Sequence, residues 1–174
     1  KLRTFVLGTS SVVFQEYDIF NGEIPKTMTV WMLPLTTAEG LYTKNQYNYE
    51  RENIESLEVK LNSKPFIDYA ENLKDENLTN AYMHMKLQDG SVLNDKKGPY
   101  ITQEEFKKGF FILQFDLTRA KTGHLDVSEM PRTGNLSIHL KFSQNHTASV
   151  QLYVLGTFNR ILEIDYQGNV TYPM

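Results

Sequence analysis

The stretch GNLSIHLKFSQ, residues 134–144, sets Leu136, Ile138, Leu140 and Phe142 on one face and Ser137, His139 and Lys141 on the other. Residues 149–158, SVQLYVLGTF, repeat the pattern, with Val150, Leu152 and Val154 alternating with Gln151 and Tyr153. Period-two alternation means one buried and one wet face, as in an antiparallel sheet. Val, Ile, Tyr and Phe suit such a half-buried pleated surface. From Phe110 onward almost no helical pattern interrupts this reading. The tail is a row of strands, and nothing in it has the pattern of a reaction centre.

Working outward, Leu2–Leu7 predicts a short strand ending at Gly8, and residues 10–20 fit either strand or loop. Asn21-Gly22 signals a turn, and Pro25 keeps its surroundings extended. Residues 27–33 predict a central strand covered on both sides, with Met28, Val30 and Met32 on one face, Trp31 in the core, and Pro34 as its end. Residues 36–53 are polar, rich in Tyr and Asn and without periodicity. At about eighteen residues they exceed ordinary hairpin loops. Residues 54–66 predict a strand with Leu57, Val59 and Leu61 inward, turned by Asn62-Ser63-Lys64, with Pro65 ending its pairing.

Residues 67–108 alone have helical character. Leu78, Tyr82 and Met85, within residues 77–86, suit a helix lying on a sheet. Thr102 followed three residues later by Glu105 predicts a capping box, with Gly109 as the stop. Residues 110–117 return to strand, with Phe111, Leu113, Phe115 and Leu117 on one face. Residues 119–132 form an open, charged connection. The chain closes on a hairpin of residues 160–166 and 170–172 around Gln167-Gly168-Asn169. About eight strands with short helices in one long connection predict an all-β fold, an antiparallel β-sandwich of jelly-roll type.

At 174 residues the chain fits one domain able to bury a core without metal or disulfide support. A net charge of −3, with Lys96-Lys97 and Lys107-Lys108 the only compact basic groups, argues against nucleic-acid binding as the main task. The absence of cysteine removes disulfides, thiolate metal sites and Cys nucleophiles together. Sequons stand at Asn77, Asn135, Asn145 and Asn169, but no secretory context supports their use. No apolar run is long enough to span a membrane. Because the chain opens in mid-strand without Met, it is expected to be a piece of a longer polypeptide.

The four histidines, His84, His124, His139 and His146, lack metal-site spacing, and structural or solvent-exposed roles are expected for them. No nucleophile elbow, Walker loop or dinucleotide fingerprint occurs. Glu16, Asp18, Asp116, Asp126 and Glu129 could pair as glycosidase carboxylates only if folding brought two together. Asp116, at the end of an apolar strand, is expected to bond turn amides instead. The best candidate for a binding or subunit-contact surface is the loop carrying Tyr42, Asn45, Tyr47 and Tyr49. Tyr and Asn give contact area and adaptable hydrogen bonds at low entropic cost. Equally, those rings could simply roof the sandwich.

The segments GLYTKNQYNY (Gly40–Tyr49), the strand through Leu57-Glu58-Val59, ITQEEF (Ile101–Phe106) with Gly109-Phe110, and FDLT (Phe115–Thr118) occur in a characteristic order. So do Gly134-Asn135-Leu136, Leu140-Lys141-Phe142, Ile164-Asp165 and Asn169-Val170. Together they resemble the C-terminal half of double jelly-roll major capsid proteins of the Polinton (Maverick) and adintovirus kind. Residues 119–132 and the strand around Tyr153 depart from that pattern. The resemblance implies two tandem jelly rolls per subunit, three subunits per pseudo-hexameric capsomer, and an icosahedral shell. Residues 1–174 would be a single jelly-roll domain, the second barrel of the subunit. The Tyr42–Tyr49 loop and residues 67–108 would supply tower and subunit contacts.

The implied partners are further copies of the chain, the preceding jelly-roll half, and penton and minor capsid proteins. No cofactor is implied, and the implied location is the virion, assembled in host cytoplasm or nucleus. The function expected is therefore a non-enzymatic structural capsid protein. A carbohydrate- or protein-binding β-sandwich using the Tyr-rich loop is the alternative, and a glycosidase ranks third.

Overall fold

The computed structural model of the chain describes residues 1–67, 73, 78–88, 100–123, 129–160 and 162–171. In chain order its elements are β1 (Leu2–Leu7), β2 (Val13–Glu16), β3 (Glu23–Ile24), β4 (Thr27–Pro34), α1 (Leu35–Ala38), β5 (Ile54–Leu61), β6 (Lys64–Ile67) and α2 (Leu78–Gln88). There follow α3 (Gln103–Lys108), β7 (Leu113–Asp116), β8 (Arg132–Thr133), β9 (Leu136–Phe142), β10 (Val150–Thr157), β11 (Glu163–Ile164) and β12 (Val170–Thr171). Asn77, Lys96, Lys97, His124, Asp126 and Tyr172, which the sequence singles out, lie outside the described residues.

Eight strands pair as one long hairpin. β1 meets β10, β2 meets β9, β4 meets β7 and β5 meets β6, all antiparallel. Rolling that hairpin adds the β10–β4 and β9–β5 ladders. The result is two four-stranded sheets, ordered β1-β10-β4-β7 and β2-β9-β5-β6. This is the jelly-roll order, so the expected fold class holds.

The alternation seen in sequence decides which side chains fill the space between the sheets. Met28, Val30 and Met32 of β4, Leu152 and Val154 of β10, and Leu136, Ile138, Leu140 and Phe142 of β9 are all buried. α2 lies against β7 and buries Leu78, Ala81 and Met85, while Tyr82 packs on Phe106 of α3. The capping box is present in full. The Glu105 amide donates to the Thr102 hydroxyl, and the Glu105 carboxylate accepts from the Thr102 amide at 2.8 Å. Gly109 caps the other end of α3.

Three expectations need correction. Trp31 is not in the core: Met28, Val30 and Met32 take β4's inward positions, so the pleat turns Trp31 to the outer face. There it stacks on Tyr153 with centroids 5.2 Å apart. Pro65 does not end the pairing. Asn62 and Ser63, both with positive φ, make a tight hairpin turn, and Pro65 sits in β6 opposite Lys60. Because β6 is an edge strand, a residue without an N–H is tolerated there. The strand expected over 110–117 is shorter. β7 covers only Leu113–Asp116, because Phe110 and Phe111 leave the sheet to meet another loop.

Candidate functional site

Four connections gather at one end of the sandwich. The longest runs from β4 to β5 through α1. Although α1 is a single turn, it closes with a full Schellman motif: the Gly40 amide donates to the Thr37 carbonyl and the Leu41 amide to the Thr36 carbonyl. Gly40 supplies the left-handed φ of +95° that this stop requires. The chain then makes two successive turns. Asn45 organises the second, its side-chain oxygen accepting from the Tyr47 amide at 3.0 Å and its carbonyl from the Asn48 amide at 3.2 Å.

The loop is next stitched to the segment that follows α3. The Tyr49 amide donates to the Gly109 carbonyl at 2.7 Å, and the Phe111 amide donates to the Tyr49 carbonyl at 3.1 Å. This parallel bridge draws the Phe110 segment away from β7. A Cβ on Gly109 would sit 2.0 Å from the Asn48 side-chain oxygen, so a larger residue there requires that side chain to move.

The four predicted residues therefore do different things. Tyr42 is fully solvent-exposed and Tyr47 is 69% exposed. Asn45 is exposed, but its side-chain oxygen is spent on the turn. Tyr49 is half-buried, its ring 6.1 Å from that of Trp31. Burial pushes its phenol above the ordinary range, with smaller contributions from Tyr47 and Tyr153. Tyr42 and Tyr47 thus face solvent, whereas the Tyr49 ring lies over the sheet beside Trp31.

The β9–β10 connection holds a feature that spacing did not reveal. His146 is buried, packs edge-on against Phe142 at 4.4 Å, and neither ring nitrogen has a hydrogen-bond partner among the described residues. Its Nδ1 lies 4.0 Å from the carboxylate of Glu52 in the β4–β5 loop. Burial holds the imidazole below its ordinary range. Glu52 is shifted the other way, raised first by burial and then by Glu50, with Lys44 opposing. His139 is outward on β9, 3.7 Å from Glu58, and His84 lies on the exposed side of α2.

Two of the carboxylates weighed as catalytic pairs, Asp116 and Asp18, have structural partners. Asp116 accepts from the Thr118 amide (2.9 Å), the Thr118 hydroxyl (2.6 Å) and the Gly123 amide (2.7 Å), the turn-amide role expected of it. Asp18 accepts from the Gly22 amide at 2.6 Å. At the other end of the sandwich a cavity of about 390 Å³ is lined in part by Glu23 and Glu129. Glu23 is engaged by Lys1 at 2.8 Å and by Arg160 at 3.0 Å. The Lys1 hydrogen bond leads in holding it below the usual carboxylate range. Among the described residues no three His, Asp or Glu side chains gather as a metal-holding group, and no helix is long and apolar enough to cross a membrane.

The strand order defines a jelly-roll β-sandwich with elaborated loops at one end. No protein-family model matches the chain, and no curated protein matches it in sequence. Among solved structures it is similar to the mavirus major capsid protein, with a TM-score of 0.51 at 13% identity over 99% of this chain. It is also similar to a chain of the Sputnik virophage structure, with a TM-score of 0.54 at 17% identity over 100% of this chain. The chain spans 39% of the length of the first and 34% of the second.

Proposed function

We propose that this chain is a structural capsid protein, one barrel of a double jelly-roll subunit. Three such subunits would form a pseudo-hexameric capsomer of an icosahedral shell in the virion. The observation that carries the reading is the complete jelly-roll order, superposable over nearly the whole chain on a major capsid protein of more than twice its length. That length ratio, with the resemblance in sequence to a C-terminal half, supports placing the chain as the second barrel. The chemistry supports a non-enzymatic role, since Asp116 and Asp18 are bonded to turn amides and Glu23 to cations. Further copies of the chain, a companion barrel, and penton and minor capsid proteins are the proposed partners, and the exposed Tyr42 and Tyr47 are proposed contacts to them.

The test is assembly. Light scattering and negative-stain electron microscopy of the purified chain, alone and joined to the companion barrel, should find trimers or shells. A monomer at all concentrations in both forms, coupled with saturable glycan binding that Tyr42→Ala or Tyr47→Ala abolishes, would replace this reading with the binding-module alternative.

A further inference from the structure

The two outer faces of the sandwich differ in charge. Outward positions of the β2-β9-β5-β6 sheet carry interleaved ions: Lys141 with Glu55 at 3.1 Å, Lys60 with Glu58 at 3.1 Å, and His139 beside Glu58. Such a face is at home in water. The outward positions of β1, β10 and β4 carry no Asp, Glu, Lys or Arg, and the only acid on the outward row of β7, Asp116, is buried beneath its own turn.

What this second face shows instead is exposed apolar side chains set among the uncharged Thr4, Gln151, Thr157, Thr27, Thr29 and Gln114. Leu2 and Leu155 lie opposite one another in the ladder and are 52% and 38% exposed, and Val6 is 62% exposed. Beside them Tyr153 stacks flat on Trp31, each half-buried. In a chain with 22% charged residues, a four-stranded face without an exposed charge is unusual, and a grouping of exposed apolar side chains on it marks a contact site.

We infer that the outer face of the β1-β10-β4-β7 sheet is a docking surface for the same face of a second copy of this chain. Two arguments select that occupant. The first is size: strands of six, eight, eight and four residues, at about 3.3 Å along and 4.8 Å across, give a footprint of roughly 400 Å². Tyr49 and the turn over Asp116 already cover part of it, so two copies bury less than about 800 Å², the size of a weak, concentration-dependent contact between copies. The second is self-complementarity. A two-fold contact brings a patch onto itself, so any charge on it meets its like. The uncharged face avoids that repulsion, whereas the ion-paired face would bring its own charges together. Sheets packed face to face interdigitate at about 10 Å, and Leu, Val, Tyr and Thr side chains suit that spacing.

This contact rests on the capsid reading only in supposing that copies meet. It is two-fold, and so separate from the threefold contacts of the proposed trimer. The experiment is sedimentation equilibrium over a wide concentration range, with fluorescence of Trp31, the sole tryptophan, read on dilution. A reversible even-numbered association is expected, with Trp31 emission moving to longer wavelength as copies part. Leu155→Lys and, independently, Val6→Lys should each weaken it at least tenfold while leaving thermal unfolding of the separated chain nearly unchanged. Val13→Lys, on the charged face, should not weaken it.

A chain that never self-associates, or association untouched by both Leu155→Lys and Val6→Lys, overturns the inference. Shells or trimers that survive both lysine variants would sink this contact and leave the capsid reading intact. A dimer that the variants abolish, with no larger assembly under any condition, would do the reverse.

Discussion

Replacing Asp116 by alanine removes one carboxylate that accepts three hydrogen bonds inside a turn. Thr118, 1% exposed, would lose the acceptor for its amide and for its hydroxyl. The Gly123 amide would lose its acceptor as well, though that partly buried N–H can reach water more easily. The Thr118 hydroxyl in turn accepts from the Thr122 amide at 2.9 Å, so its orientation is also released. A buried donor left unpaired costs about 1–3 kcal/mol, and hydrogen bonds to a charged acceptor lie at the upper end of the usual range. Removing a carboxylate from a dry site gives some of this back. The expected net loss is about 2–4 kcal/mol, or roughly 5–15 °C in midpoint for a chain of this length.

The comparison that isolates the mechanism is Asp116→Asn. One side-chain oxygen can still accept from Thr118, but the amide group then faces the Gly123 N–H donor to donor. About half of the alanine loss is expected. Circular dichroism during urea and thermal unfolding reads both variants. An alanine variant within about 0.5 kcal/mol of the parent, or an asparagine variant fully as damaging as alanine, would refute the assignment of this turn to the carboxylate.

Gly109→Ala should destabilise the loop end, because the new Cβ would collide with the Asn48 side chain; Asn48→Ala in the same molecule should recover most of the loss in thermal unfolding. The double variant Tyr42→Ala/Tyr47→Ala should leave the unfolding midpoint within about 2 °C, since both rings are exposed, yet reduce trimer or shell yield; intact assembly would remove the loop from the proposed interface. His146 and Glu52 make opposite contributions to the pH dependence of stability. The depressed imidazole contributes stability present above its ordinary value of 6.5 and lost as pH falls through its lower folded value. The raised Glu52 carboxyl contributes stability present below its ordinary 4.5 and lost as pH rises through its higher folded value. Between those limits His146→Phe should therefore flatten the acid side of a stability–pH curve and Glu52→Gln should steepen it; parental curves from both variants would refute the burial of these two groups.

Strands were legible in this chain wherever the two faces differ in polarity. β9 and β10 show period two plainly, and α3 announces itself through Thr102, Glu105 and Gly109. Errors arose where a local rule met tertiary context. Pro65 reads as a terminator until β6 is known to be an edge, and sheet order is a long-range property that no window of residues contains. Phe110 carries the strand pattern, but Tyr49, 61 positions earlier, competes for its backbone. Trp31, mid-strand between two partly apolar faces, reads as core, yet the phase of the alternation in β4 places it on the other side from Met28, Val30 and Met32.

The candidate site was half legible for the same reason. Tyrosine and asparagine content singled out the β4–β5 loop, but composition cannot say which ring faces water. That depends on a bridge from Tyr49 to the segment after α3 and on one turn closed by Asn45. The His146–Glu52 approach joins two loops and left no spacing signal at all. The uncharged sheet face did leave one: Leu2, Thr4 and Val6 in β1 and Gln151, Tyr153 and Leu155 in β10 are all outward and all uncharged. Inward positions must be apolar in any sandwich, so their pattern reports only the fold. Outward positions are free to vary, and a run of them without charge reports what the face meets. In a jelly roll, where the core alternation is common to shells, lectins and enzymes, that outward half of the pattern is where one function can be told from another.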